Sequence, residues 1–360
     1  MAARGLDALV VTSLSNVLFL TNFTGSAGIL VLTPDKVWFI TDFRYITAVS
    51  DLRESGHACP GLELVPMKGS YDTTLAELLS AGGLRQIGFE AAHMTVDRHA
   101  WLVAALAESA PGAALASTVG LVEAVRVRKD EFEIATLREA ARRLSGVAVS
   151  IMADVRRGRT EREVAMTIDL RIREAGFSAP AFETIVAGGP NGALPHARPG
   201  ERILDEGDLV VLDFGGVYDS YCVDLTRTVS IGVASGRARD VYGAVRDAHD
   251  RAIAAVAPGR TPFEIDRAAR DTLVARGLGE AFGHGTGHGL GIEVHEEPRI
   301  ARRRPDMDTQ DETLLAGMVF TIEPGAYLPG WGGVRIEDDV LVTDTGVEVL
   351  TDVTTELIEI

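Results

Sequence analysis

Cysteine is nearly absent from the 360-residue chain: only Cys59 and Cys222 occur, far apart and without metal-ligand spacing. That excludes a disulfide framework and a thiolate zinc site, and leaves two ordinary buried thiols of a reducing compartment. No apolar run approaches the roughly 18 residues needed to span a bilayer, and no charged-then-apolar leader opens the sequence. The expectation is a soluble, cytoplasmic protein. Basic residues are the minority, 35 Lys and Arg against 52 Asp and Glu, and the net charge of -17 repels phosphate backbones and anionic lipid. Nucleic-acid and basic membrane-surface roles are disfavoured. Histidine is scarce too, yet three of the eight, His284, His288 and His295, crowd into Phe282 to Glu296 among five glycines. A flexible surface loop is the bland reading of that stretch; a chemical site is the sharper one.

The first part of the chain alternates short apolar runs with turns and helical spacings. Apolar runs lie at Leu6 to Val11, Val17 to Leu20, Ile29 to Leu32, Val37 to Ile40, Leu62 to Val65 and Ile87 to Phe89, with helix-like spacing at Tyr45 to Leu52, Tyr71 to Leu79 and Val96 to Ala107. Pro34-Asp35 predicts a tight hairpin turn. This half reads as α/β. From residue 123 longer helices take over, and Val125 to Asp130 is a charged crossing, so the expected domains are 1–122 and 123–360. Asp130 with Glu133 and Thr160 with Glu163 are capping-box pairs that open two helices; Ala238 to Val256 is a third, and Thr261-Pro-Phe-Glu264 starts a fourth. Strands lie between them, so the second domain reads as α+β.

Two expected hairpins carry acids inside apolar strands. A turn near Tyr218-Asp219 sets Asp213 opposite Asp224, with β-carbons about 5 Å apart on one sheet face. A turn centred on Gly330 sets Glu323 opposite Glu337 in the same way. The repetition suggests an internal duplication in which each half offers a carboxylate pair to a common centre. Like charges so close need a cation or a shared proton, and four carboxylates with an imidazole suit two divalent ions better than a structural zinc site. The competing reading is that these are solvent-facing strand positions, with Asp338 and Asp339 extending Glu337 into a run of surface charge.

The motifs around these residues are Asp-Leu-Thr-Arg-Thr228, Gly-His-Gly-Thr-Gly-His-Gly289, Thr-Ile-Glu-Pro-Gly325 and Val-Arg-Ile-Glu-Asp338. Together they resemble the ligand motifs of the pita-bread metallopeptidases, the group of methionine aminopeptidase, aminopeptidase P, prolidase and creatinase. Phe23-Thr-Gly-Ser-Ala-Gly28 and Thr41-Asp-Phe-Arg-Tyr45 resemble the amino-terminal domain of aminopeptidase P and creatinase. The resemblance implies an α/β creatinase-like domain followed by an α+β pita-bread catalytic domain with a pseudo-twofold duplication. It implies Asp213, Asp224, His288, Glu323 and Glu337 as ligands of two divalent metal ions, Mn²⁺ first and Co²⁺ or Zn²⁺ as alternatives. Glu323 would also take the proton of the attacking water, and His295 and His196 would donate to the scissile carbonyl and its oxyanion. His284 would line the proline pocket, Tyr327 would position substrate, and Arg335 would hold a ligand carboxylate from behind. The implied activity is an Xaa-Pro aminopeptidase, with an Xaa-Pro dipeptidase as rival and a metal-free binding protein or creatinase-like hydrolase as remoter readings. A homodimer is implied as well, in which Arg44 and Tyr45 could reach a neighbour's site.

Overall fold

Turns and caps decide how the apolar runs of the first 125 residues are used. The computed structural model describes residues 1–303 and 313–360. The chain packs as two compact units, Met1–Val125 and Arg126–Ile360. In the first, β1 (Ala8–Val11), β2 (Ile29–Leu32), β3 (Val37–Thr41), β4 (Leu62–Pro66), β5 (Gln86–Glu90) and β6 (Ala114–Thr118) form one mixed sheet in the order β4-β3-β2-β1-β5-β6. Helices α1 (Leu14–Thr21), α2 (Ile46–Glu54), α3 (Tyr71–Ala81) and α4 (Val96–Ser109) connect the strands. Pro34 and Asp35 occupy the centre of the β2–β3 turn, closed by Thr33 N donating to Lys36 O at 2.9 Å.

Two features of this unit depart from the sequence reading. The run Val17 to Leu20 lies inside helix α1, because Ser13 caps it by accepting from Asn16 N and Asn22 ends it in the left-handed region at φ 62°. Cap chemistry outweighs a four-residue apolar run that periodicity cannot assign. Strand β6 is unanticipated: Ala114 to Thr118 is alanine-rich and has little strand propensity of its own, and parallel pairing to β5 fixes it.

A short α5 (Glu123–Arg126) spans the boundary; in the second unit α6 (Glu131–Ile151) and α7 (Glu161–Glu174) follow, and both longer helices open on complete capping boxes, Asp130 with Glu133 and Thr160 with Glu163. Next come β7 (Ala179–Pro180), β8 (Ile185–Gly188), β9 (Leu209–Tyr218) and β10 (Tyr221–Ser230). A second helix pair, α8 (Gly236–Ala255) and α9 (Pro262–Ala275), precedes β11 (Gly287–Gly289), β12 (Glu296–Ile300), β13 (Val319–Ile322), β14 (Gly325–Leu328), β15 (Gly332–Arg335), β16 (Asp338–Val342), β17 (Val347–Val349) and β18 (Ile358–Glu359). One sheet runs β18-β10-β9-β7 with β8 also on β9, a second runs β12-β11-β13-β16-β17, and β14 pairs with β15. Each helix pair covers one hairpin. Leu137, Leu144, Ile168 and Ile172 pack with Val210, Leu212, Phe214, Val223 and Leu225, while Val241, Val245, Ile265 and Leu273 pack with Phe320, Ile322, Val334 and Val340. Period-two alternation then sends Asp213, Asp224 and Thr226 to the opposite sheet face. Among the described residues no helix is long and apolar enough to cross a membrane.

The β9–β10 register corrects the expected one. The turn sits at Asp219-Ser220, both at positive φ (46° and 70°), so Tyr218 pairs with Tyr221. Two positive φ values define the type I′ loop whose twist suits a two-residue hairpin. Asp213 therefore faces Thr226 and Asp224 faces Gly215. The partners move by two residues, so both aspartates keep the same face and become diagonal neighbours. Near the C-terminus the expected register is found: β13–β16 and β14–β15 share one alignment, which sets Glu323 and Glu337 opposite each other at the break between the ladders.

Because Ser220 holds a left-handed conformation that costs a side-chain-bearing residue about 1–2 kcal/mol, Ser220→Gly is expected to stabilise the protein by about 0.5–1 kcal/mol. Urea unfolding checks this; an unchanged or lower midpoint would show that the turn is not strained.

Candidate active site

The two hairpins meet along one row of residues. Asp213 on β9 pairs with Thr226 on β10, and Thr226 forms an isolated antiparallel bridge to Glu337, whose N donates to Thr226 O at 3.1 Å. The Thr226 hydroxyl donates to Glu337 Oε2 at 2.6 Å. One turn of pairing away, Thr228 Oγ1 accepts from Arg335 N and donates to Arg335 O. Glu323 is pinned by its own backbone, N to Thr286 O at 2.7 Å. His288 sits in β11, between β12 and β13.

The glycines around His288 serve this packing. A Cβ at Gly287 would overlap the Thr321 carbonyl oxygen, and one at Gly289 the Glu297 carbonyl oxygen. The close neighbour is the chain's own backbone. His288 is thus held in a strand with no lateral room, and the loop reading of this segment fails for it.

All ten side chains singled out in the sequence line a single cavity of about 1450 Å³: Asp213, Asp224, His196, His284, His288, His295, Glu323, Tyr327, Arg335 and Glu337. One donor atom each of Asp224, His288 and Glu337 lie within 4.8 Å of one another, and His288 Nε2 is 3.7 Å from Glu323 Oε1. The acids are under electrostatic stress. Burial, then Glu337 and Asp213, hold the Asp224 carboxyl well above the usual range; burial, then Glu323 and Asp213, do the same to Glu337. Burial first, with Asp213 adding and Arg335 opposing, pushes Glu323 up to about 8. Buried Oδ1 atoms of Asp213 and Asp224 find no hydrogen-bond partner among the described residues. Acids crowded in this way call for a compensating cation or a shared proton. His288 answers in kind: Nδ1 donates to Gly289 O at 3.1 Å, leaving the Nε2 lone pair for a ligand, and burial pushes the ring down to about 3, so it is neutral. An oxygen-rich set with one imidazole fits divalent cations.

Arg335 organises the outer layer. Fully enclosed, it donates through Nη2 to Asp213 Oδ2, through Nη1 to the Tyr327 hydroxyl at 2.8 Å and through Nε to Thr226 Oγ1 at 3.3 Å. The Tyr327 hydroxyl donates to His284 Nε2 at 2.8 Å, and His284 Nδ1 donates to Gly285 O at 2.7 Å. Both His284 nitrogens are therefore committed, and it presents the cavity with its ring. Burial keeps it neutral, down to about 4. The His295 ring lies tilted against that of His288, 4.3 Å between centroids, and is held below its usual value by burial, then by Arg299 and His196.

Asp338 and Asp339 are not surface charge. Arg227, almost fully buried, donates to Asp338 Oδ1 at 2.8 Å and to the Thr226, Glu337, Val353 and Thr354 carbonyls, while His249 Nε2 is 3.0 Å from Asp338 Oδ2. Asp339 Oδ2 accepts from Asp224 N at 3.0 Å. Sequence reasoning missed Arg227 and His249; an arginine inside an apolar strand was the available signal. It also missed Arg299, whose guanidinium lines the cavity without an ion-pair partner among the described residues. Its signal was a base directly after Glu296-Glu-Pro298. Arg44 is paired within its own unit, bidentate to Asp42, which also accepts from the Tyr71 hydroxyl.

Comparison with known proteins agrees with this geometry. Residues 135–344 match metallopeptidase family M24, and residues 1–128 match the creatinase/prolidase N-terminal domain. An uncharacterized peptidase of Bacillus subtilis, YqhT, is 38% identical over 354 residues, 98% of this chain and 96% of that protein. The structure of an Xaa-Pro dipeptidase from Bacillus anthracis superposes with a TM-score of 0.91 at 37% identity, covering 100% of this chain and 96% of the other. That of an X-Pro aminopeptidase from Thermotoga maritima gives 0.88 at 31%, covering 99% and 98%. The chain belongs to metallopeptidase family M24, a metal-dependent peptidase with a pita-bread catalytic domain behind a creatinase/prolidase N-terminal domain.

Proposed function

We propose that the protein is a dinuclear-metal peptidase that cleaves the bond between a first residue and a following proline. The observation that carries this reading is the convergence of four carboxylates and a neutral imidazole on one cavity wall, two of the carboxylates keeping an unpartnered buried oxygen. Asp213, Asp224, His288, Glu323 and Glu337 would hold the ions, with Mn²⁺ as the first candidate. When bound, the ions supply Lewis-acid activation of a water and of the scissile carbonyl. Glu323 accepts the proton of the attacking water and delivers it to the leaving proline nitrogen, which has no hydrogen of its own. His295 and His196 donate to the carbonyl oxygen as it gains charge. Arg335 fixes the Asp213 carboxylate, and Tyr327 and His284 close the wall beside it. The reading includes a homodimer, which rests on the family resemblance, and a cytoplasmic location, which rests on the sequence.

Two substrate lengths fit. The cavity, at about 1450 Å³, exceeds the ~300–1,000 Å³ typical of small-ligand pockets, which favours an aminopeptidase acting on longer peptides. Arg299 favours the alternative, a dipeptidase, because a cation on the wall without an ion-pair partner among the described residues can bind the free carboxylate that follows proline in a dipeptide. Rates on Xaa-Pro and Xaa-Pro-Xaa peptides with Mn²⁺ separate them. An aminopeptidase cleaves the longer peptides and tolerates Arg299→Ala; a dipeptidase cleaves only dipeptides and loses about 10²-fold with that change. Cleavage of neither sinks the proposal.

Metal-free protein should show an unusual pH dependence. Glu323, Asp224 and Glu337 have folded-state pKa values raised above their unfolded values, so their neutral forms are favoured in the fold. That contribution is complete below the unfolded carboxylate range near pH ~4 and is lost as pH rises through the raised values, which for Glu323 is about 8. The melting temperature of chelator-treated protein is expected to fall from about pH 6 to about pH 9 and to recover on adding Mn²⁺, with protons released on binding. Scanning calorimetry with and without metal reads this; identical pH profiles would contradict a metal held by these acids.

A further inference from the structure

The turn Glu293 to Glu296, which carries His295, is tied to a buried ionic cluster outside the metal cavity. Glu296 Oε1 accepts from Glu293 N at 2.9 Å, closing the turn through its own side chain. The same oxygen accepts from Arg126 Nη2, and Arg126 Nη2 also reaches Glu293 Oε2 at 2.9 Å. On the other side, Lys129 Nζ donates to Glu296 Oε2 at 3.2 Å. Arg126 and Lys129 are only 3% and 4% exposed. A surface turn needs neither cation, and burying two of them is costly unless their partners hold a fixed geometry.

Lys129 is itself a rigid post. Its N donates to Gly317 O at 2.8 Å, and the next residue, Asp130, is locked by the capping box of α6. At the near end of the turn Cys222 N donates to Gly291 O at 2.6 Å. Between these anchors the side chain of His295 is left free to project into the cavity, 4.3 Å from the His288 ring. Nothing else in the turn bonds to His295, so its place is set by the turn's backbone and hence by Glu296.

We propose that Lys129 and Arg126 are positioning residues, acting through Glu296 to hold His295 at its place on the cavity wall. The inference rests on the peptidase reading above, in which His295 touches the scissile carbonyl.

Lys129→Met keeps the stem and removes the charge, and it leaves Glu296 paired with Arg126. It is expected to lower kcat on a proline-containing peptide by about 10–100-fold, with Mn²⁺ affinity unchanged by calorimetry and Lys129→Arg recovering activity. In the His295→Ala background the same change is expected to add no further loss, since a residue acting through His295 has nothing left to position. Losses that multiply in the double variant, or a Lys129→Met enzyme as fast as the unmodified one, overturn the proposal. Glu296→Gln carries the same comparison should Lys129→Met fail to fold. Hydrogen exchange on metal-free protein is independent of activity: Lys129→Met should speed exchange in residues 290–297 and leave the β9–β10 hairpin protected. Unchanged exchange in 290–297 overturns the clamp. If the unmodified protein cleaves no proline peptide, the peptidase reading fails, and the exchange experiment still decides whether these cations hold the turn.

Discussion

Crowding of buried carboxylates is the constraint on which the second unit depends. Asp213, Asp224 and Glu337 are each less than a tenth exposed, and Glu323 closes the group. Left to themselves, such groups repel and take up protons. The surrounding network answers with donors placed behind them: Arg335 on Asp213, the Thr226 hydroxyl on Glu337, and Arg227 on Asp338 and the Glu337 carbonyl. Among the described residues Asp213 Oδ1 and Asp224 Oδ1 still find no hydrogen-bond partner. A fold that holds acids this way stores a demand for cations.

The same logic explains why glycine, threonine and arginine recur beside the acids. Gly287 and Gly289 permit strands to approach so closely that any side chain would strike a carbonyl, and that approach fixes His288 against Glu323. Thr226 and Thr228 sew the two hairpins together through hydroxyls small enough for the seam. Arg227 and Arg335 bring several donors on one planar head, so a single side chain satisfies groups on two strands. Helix pairs on the outside supply the apolar burial that keeps this polar seam closed.

Much of this was legible in the chain. Capping boxes at Asp130, Thr160 and Thr261 marked helix starts because the signal is local and chemical. The β13–β16 hairpin was legible because proline and glycine name their turn. The β9–β10 register was misjudged by two residues, since no glycine marks Asp219-Ser220 and serine is an uncommon left-handed residue. The error did little harm to the site: side-chain alternation has a period of two, so the aspartates stayed on one face.

The sequence by itself determined which residue types could act, because Asp213, Asp224 and His288 sit in strands whose neighbours dictate their face, and face is a local property. Only the tertiary structure decided how those faces meet. That Glu337 leaves its own ladder to bond Thr226, that Arg335 reaches Asp213 across 122 residues, and that Lys129 and Arg126 grip the turn bearing His295 are contacts between segments distant in the chain. No local pattern encodes them, since they depend on how two helix-covered hairpins pack. The same packing settled Asp338 and Asp339, for which a run of acids had left a surface reading open, as buried supports of the centre, with His249 beside Asp338.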